Sequence, residues 1–269
     1  MSRILLTERH ISEETPRRLV EAGFEVFSPK EEIPGVHEFD RSALIQTIKN
    51  VQPDYLLTGF RFQIDQELLD LSPIKAVFTR TTGTDHITGK VEVIKLKGEE
   101  LTDVYAVPEL SLWAMFELIR KRGGRELRSK TIGIIGGAGR IGMLLNDLAG
   151  KLGMNTILDD NKFHHFNGES RKDNLERLLE ASDIVSLNIS STEENRGFFD
   201  REKFDLMKPG SYFLNSARPW LVDNLALKEA LESGKLAGAW VDFDLGFTAP
   251  NLIQTNHVAG KTLESSIKT

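Results

Sequence analysis

Three groups of residues in this chain have the types and spacing to do chemistry together. The first is Gly137, Gly139 and Gly142, spaced G-x-G-x-x-G inside the run TIGIIGGAGRIG that begins at Thr131. Glycines so spaced allow a tight turn, a close approach of backbone to pyrophosphate, and close packing of the next helix on its strand. The first turn of that helix then offers N–H groups to an anion. The second group is the acidic pair Asp159-Asp160, roughly twenty residues beyond the turn, where a side chain meets an adenosine ribose. A carboxylate there accepts from the 2′-hydroxyl and repels a 2′-phosphate, which points to NAD over NADP. The third comprises Asn215-Ser216-Ala217-Arg218, Asp242 and Asn256-His257. Arg218 carries a permanent charge in a planar fork that suits a carboxylate, and His257 exchanges a proton near neutral pH.

The elements that would position these groups follow from the hydrophobic pattern. Four apolar residues around Gly133 read as a buried strand, and Leu144, Leu145, Leu148 and Leu152 recur with helical spacing after the turn. A second strand, Asn155 to Leu158, leads into the acidic pair. Beyond it come a helix at Asn174–Glu180, a strand at Asp183–Ile189, a helix at Arg201–Met207 stopped by Pro209-Gly210, and a strand at Ser211–Asn215. A helix at Asn224–Ser233 and strands at Ala237–Phe243 and Asn251–Thr255 complete this half. These are six candidate strands, enough for two mononucleotide-binding halves, and Arg218, Asp242 and His257 each lie just past one of them. The carboxyl ends of parallel strands are where open α/β sheets hold ligands.

Residues 3 to 108 show the same alternation. Strands are expected at Ile4–Leu6, Phe24–Phe27, Tyr55–Leu57 and Lys75–Thr79, with helices near Arg17–Ala22, Arg41–Lys49 and Gln66–Leu69, and further apolar runs at Val91–Leu96 and Asp103–Val107. Gly59–Phe62 and Arg80–His86 follow strands directly. A helical pattern over Pro108–Arg122 then runs into the polar stretch KRGGRELRSK, which marks a boundary. The reading is α/β, two doubly wound parallel-sheet domains, the second a Rossmann NAD-binding domain.

Composition narrows the function classes. With 269 residues the chain can bury two cores, and a net charge of −6 without a basic block gives no reason to expect nucleic acid. The absence of cysteine excludes disulfides and thiolate metal sites and makes a cytoplasmic location the expectation. No run approaches the ~20 apolar residues of a membrane span, and the opening MSRILLTERH is too short in apolar residues for a signal segment. No metal is expected either: there is no helical His pair at i, i+4, and His164-His165 are adjacent. No G-x-S-x-G nucleophile elbow occurs. Each candidate also has a plainer reading. The glycines could be a turn without a ligand, Arg218 a surface ion-pair partner, and His257 a solvated side chain; it is their convergence on neighbouring strand ends that favours a site.

The run from SDIVSLNISS through LNSARPWLVDN to GAWVDFD, followed by NLIQTNHVAG, resembles the NAD-dependent D-2-hydroxyacid dehydrogenases, the family of D-phosphoglycerate dehydrogenase. ELRSKTIGIIGGAGRIG is similar to the family's entry into its cofactor domain, and RTTGTDHI to a loop of its substrate domain. The resemblance implies a flavodoxin-like substrate domain over residues 1–107, with 261–269 returning to it, and a cofactor domain over 108–260. It implies that Arg218 grips the substrate carboxylate and that His257 gives a proton to the 2-oxo oxygen as hydride arrives. Thr82 and Gly83 would bind the substrate through backbone N–H groups, Thr82 also lying near NAD. Arg140 and Ile141, with Gly137, Gly139 and Gly142, would hold the pyrophosphate, Asp160 the ribose, and Ile189 and Ala217 would line the cofactor, with Asp242 near its carboxamide. Members pair through the cofactor domain, so a homodimer is expected.

Several residues depart from the family pattern. Phe247 aligns where the family has the Glu that pairs with the proton-donor His, and no Glu lies between Glu232 and Glu264; Asp244 is the nearest substitute. Arg218 is followed by Pro219-Trp220 where the family has Gly, and the segment around Gly123 is abbreviated. The expected activity is therefore hydride transfer between NAD(H) and a D-2-hydroxy acid/2-oxo acid pair, weakened by the missing carboxylate. The competing expectation is a non-catalytic NAD-binding homologue acting as a sensor or assembly subunit, and a third is an L-alanine- or formate-type dehydrogenase.

Overall fold

A computed structural model describes residues 1–8, 14–28, 40–81, 83–95, 105–161, 171–262 and 264–265. The chain divides into two compact units, Met1–Thr102 with Leu263–Thr269, and Asp103–Thr262.

The first unit contains strands β1 (Ser2–Leu6), β2 (Phe24–Phe27), β3 (Tyr55–Thr58), β4 (Ala76–Thr79) and β5 (Glu92–Lys95), with helices α1 (Glu14–Glu21), α2 (Arg41–Val51) and α3 (Gln66–Leu69). All neighbouring strands run parallel, in the order β2-β1-β3-β4-β5. Alternation of side chains along the strands splits the core in two. Leu5, Leu56 and Val77 pack with Leu44 and Ile48 of α2 and Leu68 of α3. Their neighbours Ile4, Leu6 and Leu57 point the other way, towards Leu19 of α1. Helices therefore cover both faces, as the continuous apolar strands require. The helix starts are fixed locally: Asp40 caps α2 by accepting from Ala43 N at 2.8 Å, and Asp65 caps α3 by accepting from Leu68 N at 3.1 Å.

The second unit opens with helix α4 (Ala106–Met115), which passes into a π-helical turn over Phe116–Arg122. Val107 thus belongs to a helix, because Pro108 is favourable in a first helical turn and the apolar residues after it recur with helical period. Strands β6 (Thr131–Ile135), β7 (Asn155–Asp159), β8 (Ile184–Leu187), β9 (Ser211–Asn215), β10 (Leu236–Val241) and β11 (Leu252–Gln254) form one parallel sheet, ordered β11-β10-β9-β8-β6-β7. Helices α5 (Arg140–Lys151), α6 (Arg171–Ala181), α7 (Arg201–Leu206) and α8 (Asn224–Glu232) connect them. Strand residues again alternate between two clusters. Ile135, Val185, Phe213, Ala239 and Leu252 join Leu178 of α6, Phe204 of α7 and Leu227 of α8, while Ile134, Ile184, Leu214, Trp240 and Ile253 join Ala114 of α4 and Leu145 of α5. The chain leaves β6 towards β7 on one side and reaches β8 on the other, so the strand order reverses at β6. That reversal opens the crevice in which such sheets bind ligands.

Candidate active site

At the carboxyl end of β6 the backbone turns on Gly136, whose φ of +86° is the left-handed conformation that suits glycine. The turn falls one residue before the G-x-G-x-x-G spacing begins, because Gly136-Gly137 lengthens the loop by a residue. Gly139 occupies the N-cap of α5 and, having no side chain, leaves the start of this helix without a side-chain cap. The first turn, carrying Arg140, Ile141 and Gly142, can then present N–H groups to a phosphate. Burial lowers the pKa of the Arg140 guanidinium below its ordinary value. Gly142 lets the helix approach: a Cβ there would lie 2.3 Å from Gly136 O and 2.8 Å from Gly137 Cα, both backbone atoms. Alanine for glycine inside a helix ordinarily gains about 1 kcal/mol. Gly142→Ala is instead expected to lose about 1–3 kcal/mol through overpacking and to weaken NADH binding at least tenfold, read by urea denaturation and NADH fluorescence titration. A neutral outcome would mean that the close packing does not shape the turn.

The two acids at the end of β7 lie in different surroundings. Asp159 is the last strand residue, fully buried, its Oδ1 accepting from Asn174 Nδ2 of α6 at 3.3 Å. Asp160 lies just past the strand and accepts from Ala138 N in the glycine turn at 3.1 Å. Of the pair, Asp160 is the carboxylate beside the loop, so a glycine cradle, an uncapped helix start and an adjacent acid meet at the adjoining ends of β6 and β7, a set that fits an adenine dinucleotide. Ile189 follows β8 closely, its backbone N only 3.0 Å from where a Cβ on Gly136 would stand.

The groups that could handle a substrate follow β9, β10 and β11. Asp242 N donates to Asn215 O at 3.1 Å, and His257 N donates to Asp242 O at 3.1 Å, so the three strand ends are laced side by side. Strands pair about 4.8 Å apart, so β9 and β11, with β10 between them, lie about 10 Å from one another. A buried polar side chain shapes each loop. Asn215, fully buried, accepts from Ala217 N at 2.9 Å and donates to Arg218 O at 3.0 Å, clamping the turn that ends in Arg218. Arg218 also donates through Nη1 to Ala217 O at 2.8 Å. Asp242, also buried, accepts from Thr255 Oγ1 at 2.6 Å, Val258 N at 2.9 Å and Ala259 N at 2.8 Å, and so encircles His257. Within that turn His257 has φ +50°, a conformation uncommon outside glycine. Thr255 in turn accepts from the indole N–H of buried Trp240 at 3.1 Å, tying the loop to the core.

The Asp242 carboxylate holds the 255–259 turn through these three bonds. Thr255 and Asn215 are the positioning residues that sequence reading left without a role. Asn215 had a signal, a buried amide in an apolar strand, whereas Thr255 had none. Phe247 packs against the cluster beneath α8, with Lys228 Nζ 5.9 Å from its ring centroid. Asp244 is exposed and accepts from Gly246 N at 2.8 Å, a bond within its own turn. In the first unit, Gly83 O accepts from Thr81 Oγ1 at 2.6 Å; Thr82 lies outside the described residues, as do His10, His37, His164 and His165. No helix among the described residues is long and apolar enough to cross a membrane.

The sequence model described as D-isomer specific 2-hydroxyacid dehydrogenase, NAD binding domain, matches residues 113–259, more than half of the chain. The chain belongs to this family. Its second unit holds the family's NAD-binding domain, from the glycine turn to His257. The chain is 30% identical to D-3-phosphoglycerate dehydrogenase of Dictyostelium discoideum, over 97% of this chain and 70% of that enzyme. It is 28% identical to erythronate-4-phosphate dehydrogenase of Pseudomonas fluorescens, over 91% of this chain and 66% of the relative. It thus spans about two thirds of the length of these relatives. The fold is shared with the NAD+-bound 3-phosphoglycerate dehydrogenase of Entamoeba histolytica at a TM-score of 0.82 and 24% identity, covering 99% of this chain and 91% of that one.

Proposed function

We propose that this chain interconverts a 2-oxo acid and its D-2-hydroxy acid with NAD(H). The observation that carries the reading is the pair of clamped loops: a guanidinium after β9 and an imidazole after β11, each set by a buried polar side chain at the end of a strand in the NAD-binding domain. Arg218 binds the substrate carboxylate through its fork and draws electron density from the 2-oxo group. His257 donates the proton that the developing alkoxide needs, and recovers it in the reverse direction. Asp242 and Asn215 hold these groups in place, so that little ordering is left for the substrate to impose. Asp160 accepts from the ribose hydroxyl, and the N–H groups of Arg140, Ile141 and Gly142 neutralise the pyrophosphate. Ile189 and Ala217 line the cofactor pocket. Bound NADH supplies the hydride. Thr82 and Gly83 are assigned to the substrate through their backbone N–H groups, the first unit serving as the substrate domain and the second as the cofactor domain.

Turnover is proposed to be weaker than in relatives that keep Glu at the position of Phe247, because a phenyl ring packed in an apolar cluster can take no part in proton transfer. The same residue favours a second reading, a non-catalytic NAD-binding homologue. NADH oxidation with glyoxylate, hydroxypyruvate and pyruvate across pH separates the two: consumption of NADH with at least one of them is expected, whereas a flat trace despite saturating NADH binding would support the binder. The assembly is proposed to be a homodimer in the cytoplasm; Trp113 and Phe116, both about 40% exposed near the start of this domain, offer the apolar surface such a contact needs. Sedimentation velocity tests the dimer, a monomer at micromolar concentration being the contrary result.

A further inference from the structure

The carboxyl ends of β1, β3 and β4 in the first unit carry a polar cluster that the proposed reaction does not use. Glu8, just past β1, sends its carboxylate across these strand ends. Its Oε1 accepts from Gly59 N at 3.1 Å and Arg61 N at 2.9 Å, and its Oε2 accepts from Arg80 Nη2 at 3.2 Å. The Glu8 and Arg80 side chains are only 15% and 13% exposed. Gly59 is shaped to this carboxylate, since a Cβ there would lie 2.5 Å from Glu8 Oε2. Under the cluster the buried hydroxyls of Thr7 and Thr58 bond to each other at 2.9 Å. Arg80 Nε is buried and has no hydrogen-bond partner among the described residues, so the guanidinium keeps donor capacity that Glu8 does not take up.

Two converging backbone N–H groups and a guanidinium form a receptor for an anion, and strand carboxyl ends are where α/β sheets place their ligands. As a mere strut the arrangement is poor. Desolvating both charges offsets most of their attraction, and an apolar pair would hold the strand ends as well. We propose that Glu8 is a built-in occupant of an anion subsite formed by Gly59 N, Arg61 N and Arg80, and that it closes these strand ends to external anions. With the subsite filled by the chain's own carboxylate, an external anion finds its donors already taken. The anion subsite does not rest on the dehydrogenase reading.

The test uses inorganic phosphate as the probe, titrated by calorimetry into the full-length protein, its Glu8→Ala and Glu8→Ser variants, and the double variant Glu8→Ala/Arg80→Gln. Opening the subsite should let the single variants bind phosphate at least tenfold more tightly than the parent protein, and the double variant should lose that gain. Folded single variants that bind no better than the parent overturn the proposal, as does a double variant that binds as well as Glu8→Ala. Unfolding of both single variants also overturns it, since the carboxylate would then be a strut. Phosphate binding by the variants in a protein that oxidises no NADH would leave the subsite standing and remove only the dehydrogenase reading.

Discussion

His257→Asn is expected to lower kcat for 2-oxo acid reduction by about 10² to 10⁴-fold, the usual worth of a positioned proton donor, while leaving the affinity for NADH unchanged within twofold. Asparagine is the informative replacement because of the backbone. His257 sits at φ +50°, and asparagine tolerates the left-handed region better than other side chains that lack an ionisable group. An alanine there would mix loss of the proton with about 1–2 kcal/mol of backbone strain. The turn is held by bonds from Val258 N and Ala259 N to Asp242, and an asparagine at 257 keeps the backbone N–H that donates to Asp242 O. The fold of the loop should therefore survive, and the loss should be chemical. Steady-state NADH oxidation, with the pH dependence of kcat followed in parallel, checks it. Activity within threefold of the parent protein would show that the proton comes from elsewhere.

Asp242→Ala should damage both stability and activity. The carboxylate accepts from Thr255 Oγ1, Val258 N and Ala259 N, and it is itself 1% exposed. Its removal leaves two backbone donors near the strand ends without their acceptor, at a cost of about 2–4 kcal/mol in total. The Thr255 hydroxyl is less affected, since Val241 O lies 3.5 Å away and can take its proton. Once the turn loosens, His257 no longer stands in one orientation, and misplacement by even ~1 Å can cost about 10²-fold in rate. Asp242→Asn should be milder: one oxygen is retained, but an amide N–H₂ now meets one of the backbone donors, for a loss of about 1–2 kcal/mol. Urea denaturation together with kcat/KM measurements on both variants reads the two effects. If the alanine variant unfolds at the parent midpoint with its activity intact, the Asp242 clamp is not what positions His257.

Much of the architecture was readable because parallel strands buried on both faces announce themselves as short apolar runs between helical patterns. The nucleotide turn, Arg218 and His257 were readable for a related reason, as polar or glycine residues that follow such runs directly. Gly136-Gly137 makes the turn a residue longer than its shortest form, which leaves the position of the bend open in the sequence. Spacing cannot say which of Gly136 and Gly137 adopts positive φ, as that depends on how closely the loop passes Asn188 O, 2.6 Å from where a Cβ on Gly136 would lie. Val107 read as part of a short apolar run and proved helical, because its periodicity becomes visible only with the residues after Pro108.

By itself, then, the order of residues determined that two parallel sheets form, that a dinucleotide turn opens the second, and that a cation and an imidazole each follow one of its strands. Those features are local in sequence: strand period, glycine spacing, and a charged residue after an apolar run. Only the tertiary structure decided which side chains hold the others still. The load on Asp242, the buried link from Trp240 through Thr255, and the capture of Gly59, Arg61 and Arg80 by Glu8 all join residues brought together by strand register or sheet order. A hydrogen bond acts over about 3 Å, and which donors come within that reach of a buried acceptor is fixed only when the strands have paired.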